Sequence, residues 1–246
     1  MTLEDMVKKE SKKERIMSAK RGIDDLETLE QFNAYRETLI QGFGGEAKMS
    51  FIDTTPVKSD TDILGRKVPK EVKKHFYYRL AQSASMHAAN NVLSGEEHIP
   101  ANPNLFIIAA RAYKLSGNKE KAKDAWRSYF NSVGEKISRA ISPSQRVDLP
   151  DLSLLEESKL SRKEKQNYAR AMMEHVIYHP GEKPEPWTDA RYAARLTKFV
   201  PKAYATTMSS QIAQLFEQAG DRDSYQRAKQ FYKKAHNTGL LSKAKK

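Results

Sequence analysis

Apolar side chains return every third or fourth residue over most of this 246-residue chain, and this spacing constrains the fold more than any other feature. The stretch from Leu26 to Leu39 is typical, with Leu29, Phe32 and Tyr35 between its ends. Such spacing places one apolar stripe along an α-helix, and no window shows the sustained alternation of a strand. Breakers are few, with 11 glycines and 10 prolines. We therefore expect an all-α protein built of antiparallel helical hairpins.

Capping residues, glycines and prolines divide this pattern into predicted helices. The first begins at Thr2, and Gly22 is expected to break it. Further helices are expected over residues 24–41, 69–94, 104–116, 118–133, 161–178, 188–199, 201–219 and 222–236. Residues 45–68 lose the helical spacing, which predicts a long loop or linker. The expected organisation is N-terminal helices over residues 1–44, this linker, and a helical body over 69–246 with a frayed basic tail at 243–246.

Residues 106–129 have the composition of an αα-hairpin. Two small side chains allow two helix backbones to approach, two aromatic side chains fill the space beside them, and a glycine provides the reversal. Residues 212–235 repeat this order, with about three extra residues between the glycine and the matching positions of the second helix. In the first stretch, these positions are Ala110, Tyr113, Gly117, Ala122 and Trp126. In the second, they are Ala213, Phe216, Gly220, Ala228 and Tyr232.

This order of residues resembles the tetratricopeptide repeat, a family of stacked helical hairpins. The resemblance covers roughly 55 of the 246 residues. Tyr129 departs from it, because that family usually has a small residue there. The resemblance implies a short solenoid with a concave surface that holds peptides or other proteins. Unrelated antiparallel helix pairs also need small residues at their contact, so that alternative remains open.

Positive charge is concentrated near the end of the sequence. Residues 191–246 contain 12 basic and 3 acidic residues, a net charge of +9, whereas residues 1–40 contain 8 basic and 9 acidic residues. A positive field attracts acidic partners such as nucleic acid, anionic membranes or acidic proteins. The alternative explanation is a solvated face over a core stripe. The candidate residues for binding an acidic partner or nucleic acid are Arg191, Arg195, Lys198, Lys202, Arg222, Lys229 and Lys233.

No motif in the sequence indicates catalysis. The chain has no cysteine, which excludes disulfides, thiolate zinc sites and thiol nucleophiles. His175 and His179 lie four residues apart, but their order is not the His-Glu-x-x-His of zinc proteases, and they fit the end of a helix better than a metal site. The segment Gly42–Gly45 lacks the lysine and hydroxyl residue of a phosphate-binding loop. We expect no catalytic residue, no metal and no cofactor.

The leading hypothesis is a non-enzymatic helical interaction or scaffold protein that binds a protein or another acidic partner. The alternative is a nucleic-acid-binding protein, of RNA-bound or nucleocapsid-like type, that uses the basic C-terminal surface. A homo-oligomer is compatible with both. No run of about eighteen apolar residues predicts a membrane span, and the first twenty residues lack the apolar segment of a secretory signal. The absence of cysteine favours a reducing, cytoplasmic location.

Overall fold

The computed structural model describes residues 3–45, 62–93, 102–140, 147–179, 186–220 and 222–236. These ranges contain eleven helices and no strand, so the predicted all-α class is confirmed. The helices are α1 (Leu3–Asp24), α2 (Leu29–Gly42), α3 (Lys70–Leu93), α4 (Asn104–Ser116), α5 (Lys119–Arg139), α6 (Leu152–Glu157), α7 (Arg162–Tyr178), α8 (Pro186–Leu196), α9 (Lys202–Thr207), α10 (Ser209–Ala219) and α11 (Arg222–His236). None of these helices is both long enough and apolar enough to cross a bilayer.

The chain forms two compact units, Met1–Tyr129 (unit 1) and Phe130–Lys246 (unit 2), and the boundary between them lies inside α5. Most of the predicted linker over residues 45–68 lies outside the described residues, as does the predicted basic tail. Residues 62–68 form turns, and Leu64 and Val68 are buried there. The end of the predicted linker therefore belongs to the core of unit 1.

The first two helices of unit 1 pack against α3. The rings of Phe32 and Phe76, both fully buried, meet edge to face with their centroids 5.4 Å apart. Asp24 at the end of α1 adds a polar connection, since its Oδ1 lies 2.8 Å from Nε2 of His75 and its carbonyl accepts a hydrogen bond from Arg79 at 2.7 Å. Burial of each phenylalanine contributes about 1.5–3 kcal/mol. The N-terminal helices are thus an integral layer of this unit.

Gly22 lies inside α1, so the prediction that it breaks the helix is wrong. A Cβ atom on Gly22 would lie 2.1 Å from the hydroxyl oxygen of Tyr35 in α2. That hydroxyl donates a hydrogen bond to the carbonyl of Ala19 at 3.4 Å. The glycine therefore provides space for a close approach between two helices, a role that helix propensity does not reveal.

Gly117 ends α4 two residues before α5 begins. Its φ of 90° is left-handed, a conformation that glycine adopts without the steric cost of a Cβ. The amide of Asn118 donates to the carbonyl of Tyr113 at 2.9 Å, which closes the last turn of α4 in the manner of a Schellman motif. Lys121 in α5 then lies over the Tyr113 ring, 5.7 Å from its centroid. The other predicted packing residues of this stretch are also buried: Ala110, Ala122 and Trp126.

Unit 2 places α10 against both α8 and α11, and α8 packs in turn on α7. Gly220, with a φ of 73°, ends α10 before α11 begins. The ring of Phe216 stacks on that of Phe231 with centroids 5.9 Å apart and an interplanar angle of 23°. Of the other predicted packing residues, Ala213 and Ala228 are buried and Tyr232 is half-buried.

Two helix boundaries in unit 2 correct the sequence analysis. The structure adds the short helix α6 between the predicted helices over residues 118–133 and 161–178, and the start of α6 is capped by Asp151, which accepts a hydrogen bond from the amide of Ser153 at 2.9 Å. The predicted single helix over residues 201–219 is divided into α9 and α10 at Met208. Near this division, Thr206 and Thr207 donate hydrogen bonds to carbonyls four residues earlier. Such back-bonding by hydroxyl side chains often bends helices.

Candidate anion-binding surface

Six of the seven cationic residues predicted to bind an acidic partner are exposed, and Arg191 is half-buried. None of the six forms an ion pair with a carboxylate in the described part of the chain. The exposed residues are Arg195, Lys198, Lys202, Arg222, Lys229 and Lys233. Their charges therefore face solvent without compensation from the described acidic side chains.

The cations of α11 share one face of that helix. Lys229 and Lys233 lie seven and eleven residues after Arg222, and a helix advances about 100° per residue, so the three side chains fall within about 40° of one another. The buried residues of the helix, which include Ala228 and Ala235, lie on the opposite side. The burial of that apolar stripe against α10 thus fixes the direction in which the cationic face points.

Two glutamates of unit 2 are held by tyrosine hydroxyls. Tyr232 donates a hydrogen bond to Glu217 at 2.7 Å, and Tyr204 donates one to Glu174 at 2.6 Å. Burial and the hydrogen bond to Glu217 raise the pKa of Tyr232 to about 12. Burial and Glu174 likewise raise the pKa of Tyr204. Because a neutral hydroxyl satisfies each carboxylate, these contacts do not consume positive charge.

A cavity of about 630 Å³ in unit 2 brings three cationic side chains together. They are Arg162 from α7, Lys202 from α9 and Lys234 from α11. None of the described residues that line the cavity is acidic. We call it the cationic pocket, and its lining is Arg162, Thr197, Val200, Lys202, Ala205, Thr206, Ser209, Phe231 and Lys234.

Local sequence signals position these three cations. Ser161 and Glu164 form a capping box that begins α7, and Arg162 is the first residue of that helix. Lys202 is the first residue of α9, directly after a proline that cannot continue a preceding helix. The Lys234 ammonium lies over the ring of Phe231, 4.8 Å from its centroid. Each cation is therefore placed by a cap, a helix start or an aromatic contact.

The hydroxyl groups of the pocket offer oxygen acceptors more readily than donors. Thr197, Thr206 and Ser209 each donate a hydrogen bond to a backbone carbonyl of their own segment, at 2.6, 2.9 and 2.9 Å. The guanidinium and the two ammonium groups are therefore the donors that an anion would meet. An arginine offers a planar fork for two oxygens of one phosphate, and lysine adds a mobile point charge.

The sequence pattern predicts Lys202 as a binding residue but not Arg162 or Lys234. Arg162 precedes the basic C-terminal stretch by almost thirty residues, so charge counting does not connect the two. Lys234 follows Lys233 directly, so it projects about 100° away from the exposed stripe that the spacing defines. The position of Arg162 directly after the capping serine identifies it as the first residue of a helix. Nothing in the sequence indicates that this helix start lies beside the end of α11.

A second, smaller cavity of about 200 Å³ lies beside the two histidines considered as metal ligands. His175 is buried, and its ring lies 5.1 Å from that of His179. Its Nε2 accepts a hydrogen bond from the amide of Val147 at 3.4 Å. Asp148 and Asp189 also line this cavity. Within the ranges that the structure describes, no group of three or more histidine, aspartate or glutamate side chains is arranged to hold a metal ion.

Comparison with known proteins leaves the function to be inferred from the molecule itself. No protein-family model, curated protein or solved structure matches the chain. The tetratricopeptide resemblance of the two hairpins accordingly stays a prediction. The six exposed cations of unit 2 that form no ion pair with a described carboxylate are the feature with the clearest chemical meaning.

Proposed function

We propose that this chain is a non-enzymatic helical binding protein, and that unit 2 binds nucleic acid through the phosphate backbone. The observation that carries the proposal is the set of six exposed cations without a described carboxylate partner. The surface of a folded helix usually intersperses charges of both signs. Here the described glutamates Glu174 and Glu217 bond to tyrosines instead.

Nucleic acid suits this surface better than an acidic protein for two reasons. The cations are distributed over α8, α9 and α11 and the turn after α8, and a phosphate backbone presents evenly repeated charges that can follow such a distribution. The cationic pocket adds a concave group of three donors, which matches the oxygens of a phosphate group. Contacts to phosphate carry no sequence information, so we expect little base specificity.

A salt-dependent titration tests the proposal. Binding of the full chain to labelled single-stranded RNA and duplex DNA is followed by fluorescence anisotropy at two salt concentrations. If about six duplex phosphates are neutralised, affinity falls about 10³-fold between about 50 and 200 mM salt. Absence of binding to both nucleic acids at the lower salt concentration contradicts the proposal.

Charge reversal identifies the surface responsible. The double variant Arg195→Glu and Lys198→Glu changes two exposed cations and should weaken binding at least about tenfold, because it replaces attraction with repulsion. The matched control is Lys12→Glu with Lys13→Glu, which makes the same change of net charge on exposed positions of α1. Equal losses in both variants would indicate a response to net charge alone and would contradict an assignment to unit 2.

The hairpins support a second candidate, a scaffold that binds another protein. Gly117 and Gly220 both adopt left-handed conformations at helix ends, and small and aromatic residues are buried beside each reversal. This is the packing that helical repeats use to present a concave protein-binding surface. A pull-down that retains a defined protein after nuclease treatment, and that is insensitive to reversal of Arg195 and Lys198, would favour this candidate over nucleic acid.

A further inference from the structure

We propose that the cationic pocket binds the terminal phosphate of a nucleic-acid strand, while the exposed cations of α8 and α11 contact internal phosphates. This inference rests on the proposed function and specifies which part of the ligand each group recognises. Its basis is the convergence of Arg162, Lys202 and Lys234 on one concave site.

The charge of the pocket matches a terminal phosphate better than an internal one. A phosphate monoester carries about −1.5 to −2 at pH 7, whereas each internal diester carries a single negative charge. Arg162 and Lys202 supply two positive charges by themselves, and no described lining residue is acidic, so the pocket favours the more highly charged group. The cationic face of α11 differs, because its three side chains are spread along the helix at intervals of seven and four residues. That spacing suits successive phosphates along a strand.

The shape of the pocket also favours a strand end. Its volume of about 630 Å³ lies within the range of small-molecule sites, about 300–1,000 Å³, and is sufficient for a terminal nucleotide. An internal phosphate has nucleotides on both sides, which would have to leave the concavity in two directions. A terminal phosphate requires only one exit. The pocket therefore selects for the end of a chain by geometry as well as by charge.

The aromatic residue of the pocket holds a cation in place and does not offer a stacking platform for a base. One contact of Phe231 is the stacked ring of Phe216, and another is the ammonium of Lys234. Base stacking on this ring would require displacement of one of them. Recognition thus depends on the phosphate and is independent of the identity of the terminal base.

Short single-stranded RNAs of one sequence, ending in a 5′-phosphate, a 3′-phosphate or hydroxyl groups only, test the proposal. Affinities are measured with the full chain at low salt. We expect at least one of the phosphorylated strands to bind about tenfold more tightly than the hydroxyl strand, the effect of about 1.4 kcal/mol of added attraction. A nucleoside monophosphate should compete for this preference and leave the binding of the hydroxyl strand unchanged.

Substitutions separate the pocket from the remaining surface. Arg162→Gln and Lys202→Gln change exposed side chains and should weaken binding of the phosphorylated strand by a much larger factor than binding of the hydroxyl strand, so that the preference for a phosphorylated end is lost. The matched control Lys229→Gln, on the exposed face of α11, should weaken all three strands by a similar factor and preserve the preference. Circular dichroism spectra confirm that each variant retains its helical content.

The outcomes distinguish this inference from the proposed function. Equal affinity of the natural chain for all three strands would overturn the pocket assignment and leave nucleic-acid binding in place. Equal weakening of all strands by the pocket variants would overturn it too, because the pocket would then act as an ordinary backbone contact. If no strand binds, both proposals are wrong.

Discussion

The hydroxyl of Tyr232 donates a hydrogen bond to Oε2 of Glu217 at 2.7 Å, so a carboxylate of α10 is held by a neutral side chain of α11. Burial and this bond raise the pKa of Tyr232 to about 12, from an ordinary value of 10.0. Because the folded state keeps the proton more tightly than the unfolded state, the stabilising contribution is present below pH 10 and is lost as the pH rises through about 12. We expect Tyr232 to be one of several tyrosines, Tyr204 among them, that titrate late in the ultraviolet absorbance of the folded protein. Tyr232→Phe should reduce the amplitude of this late titration by the contribution of one tyrosine, and an unchanged amplitude in the variant would contradict the assignment.

Asp62 and Tyr77 should make unit 1 sensitive to acid. Burial tends to raise the pKa of Asp62, but hydrogen bonds from Lys73, Tyr77 and the amide of Leu64 outweigh burial and hold the pKa below 3.8. The corresponding stability is present above pH 3.8 and is lost as the pH falls through the lowered pKa of the folded state. Denaturant titrations across this range should show a shallower acid loss for Asp62→Asn than for the natural chain.

The same contact predicts coupling between the two side chains. Tyr77 is buried, donates to Asp62 at 2.7 Å and accepts from the amide of Ile63 at 2.8 Å. Tyr77→Phe should lower the free energy of unfolding by about 1–3 kcal/mol, since a hydrogen bond to a charged group is lost. In the double variant with Asp62→Asn, the two losses should sum to more than the measured total. Strict additivity would show that the two groups act independently.

Gly22 should tolerate a side chain only when Tyr35 is changed. Gly22→Ala places a Cβ within 2.1 Å of the Tyr35 hydroxyl oxygen and should destabilise unit 1 by about 1–3 kcal/mol. In a Tyr35→Leu background the same substitution should cost less or become stabilising, because alanine favours a helix interior over glycine by about 1 kcal/mol. Thermal unfolding of the four chains measures this change. An equal cost in both backgrounds would show that Tyr35 is not the obstacle.

Substitution by alanine should lower the stability of the chain at Gly117 but not at Gly42, another glycine of unit 1. Gly117 has a φ of 90°, so Gly117→Ala should destabilise by about 1–2 kcal/mol. Gly42 ends α2 and is not left-handed, and a Cβ atom added to it would meet no other atom within 4 Å. Gly42→Ala should be neutral or stabilise by up to about 1 kcal/mol. A destabilisation of the same size in both would exclude backbone conformation as the cause.

Local signals in the sequence predict much of the helical structure. A capping serine or a left-handed glycine affects only the few residues next to it. The serine before Arg162 and the glycines Gly117 and Gly220 are such signals, and α4, α7 and α11 begin or end close to the predicted positions. Errors arise where a distant residue decides the outcome. The role of Gly22 depends on Tyr35, which is thirteen positions away in the chain and belongs to another helix.

The sequence likewise predicts one part of the candidate site and not the other. Periodicity identifies the cationic face of α11, because the residues that compose it belong to one helix and their spacing alone determines their direction. The cationic pocket needs α7, α9 and α11 to come together, and no periodicity relates Arg162 to Lys234. The sequence therefore predicts one of its three cations.

The position of the boundary between the two units has a practical consequence for dissecting this protein. Tyr129 and Phe130 are adjacent, buried residues of α5, yet they belong to different units. A fragment cut at this peptide bond would divide a continuous helix. A fragment that contains either unit should therefore include all of Lys119–Arg139. If a shorter fragment is unstable, the divided helix is a sufficient cause, and the instability does not show that one unit depends on the other.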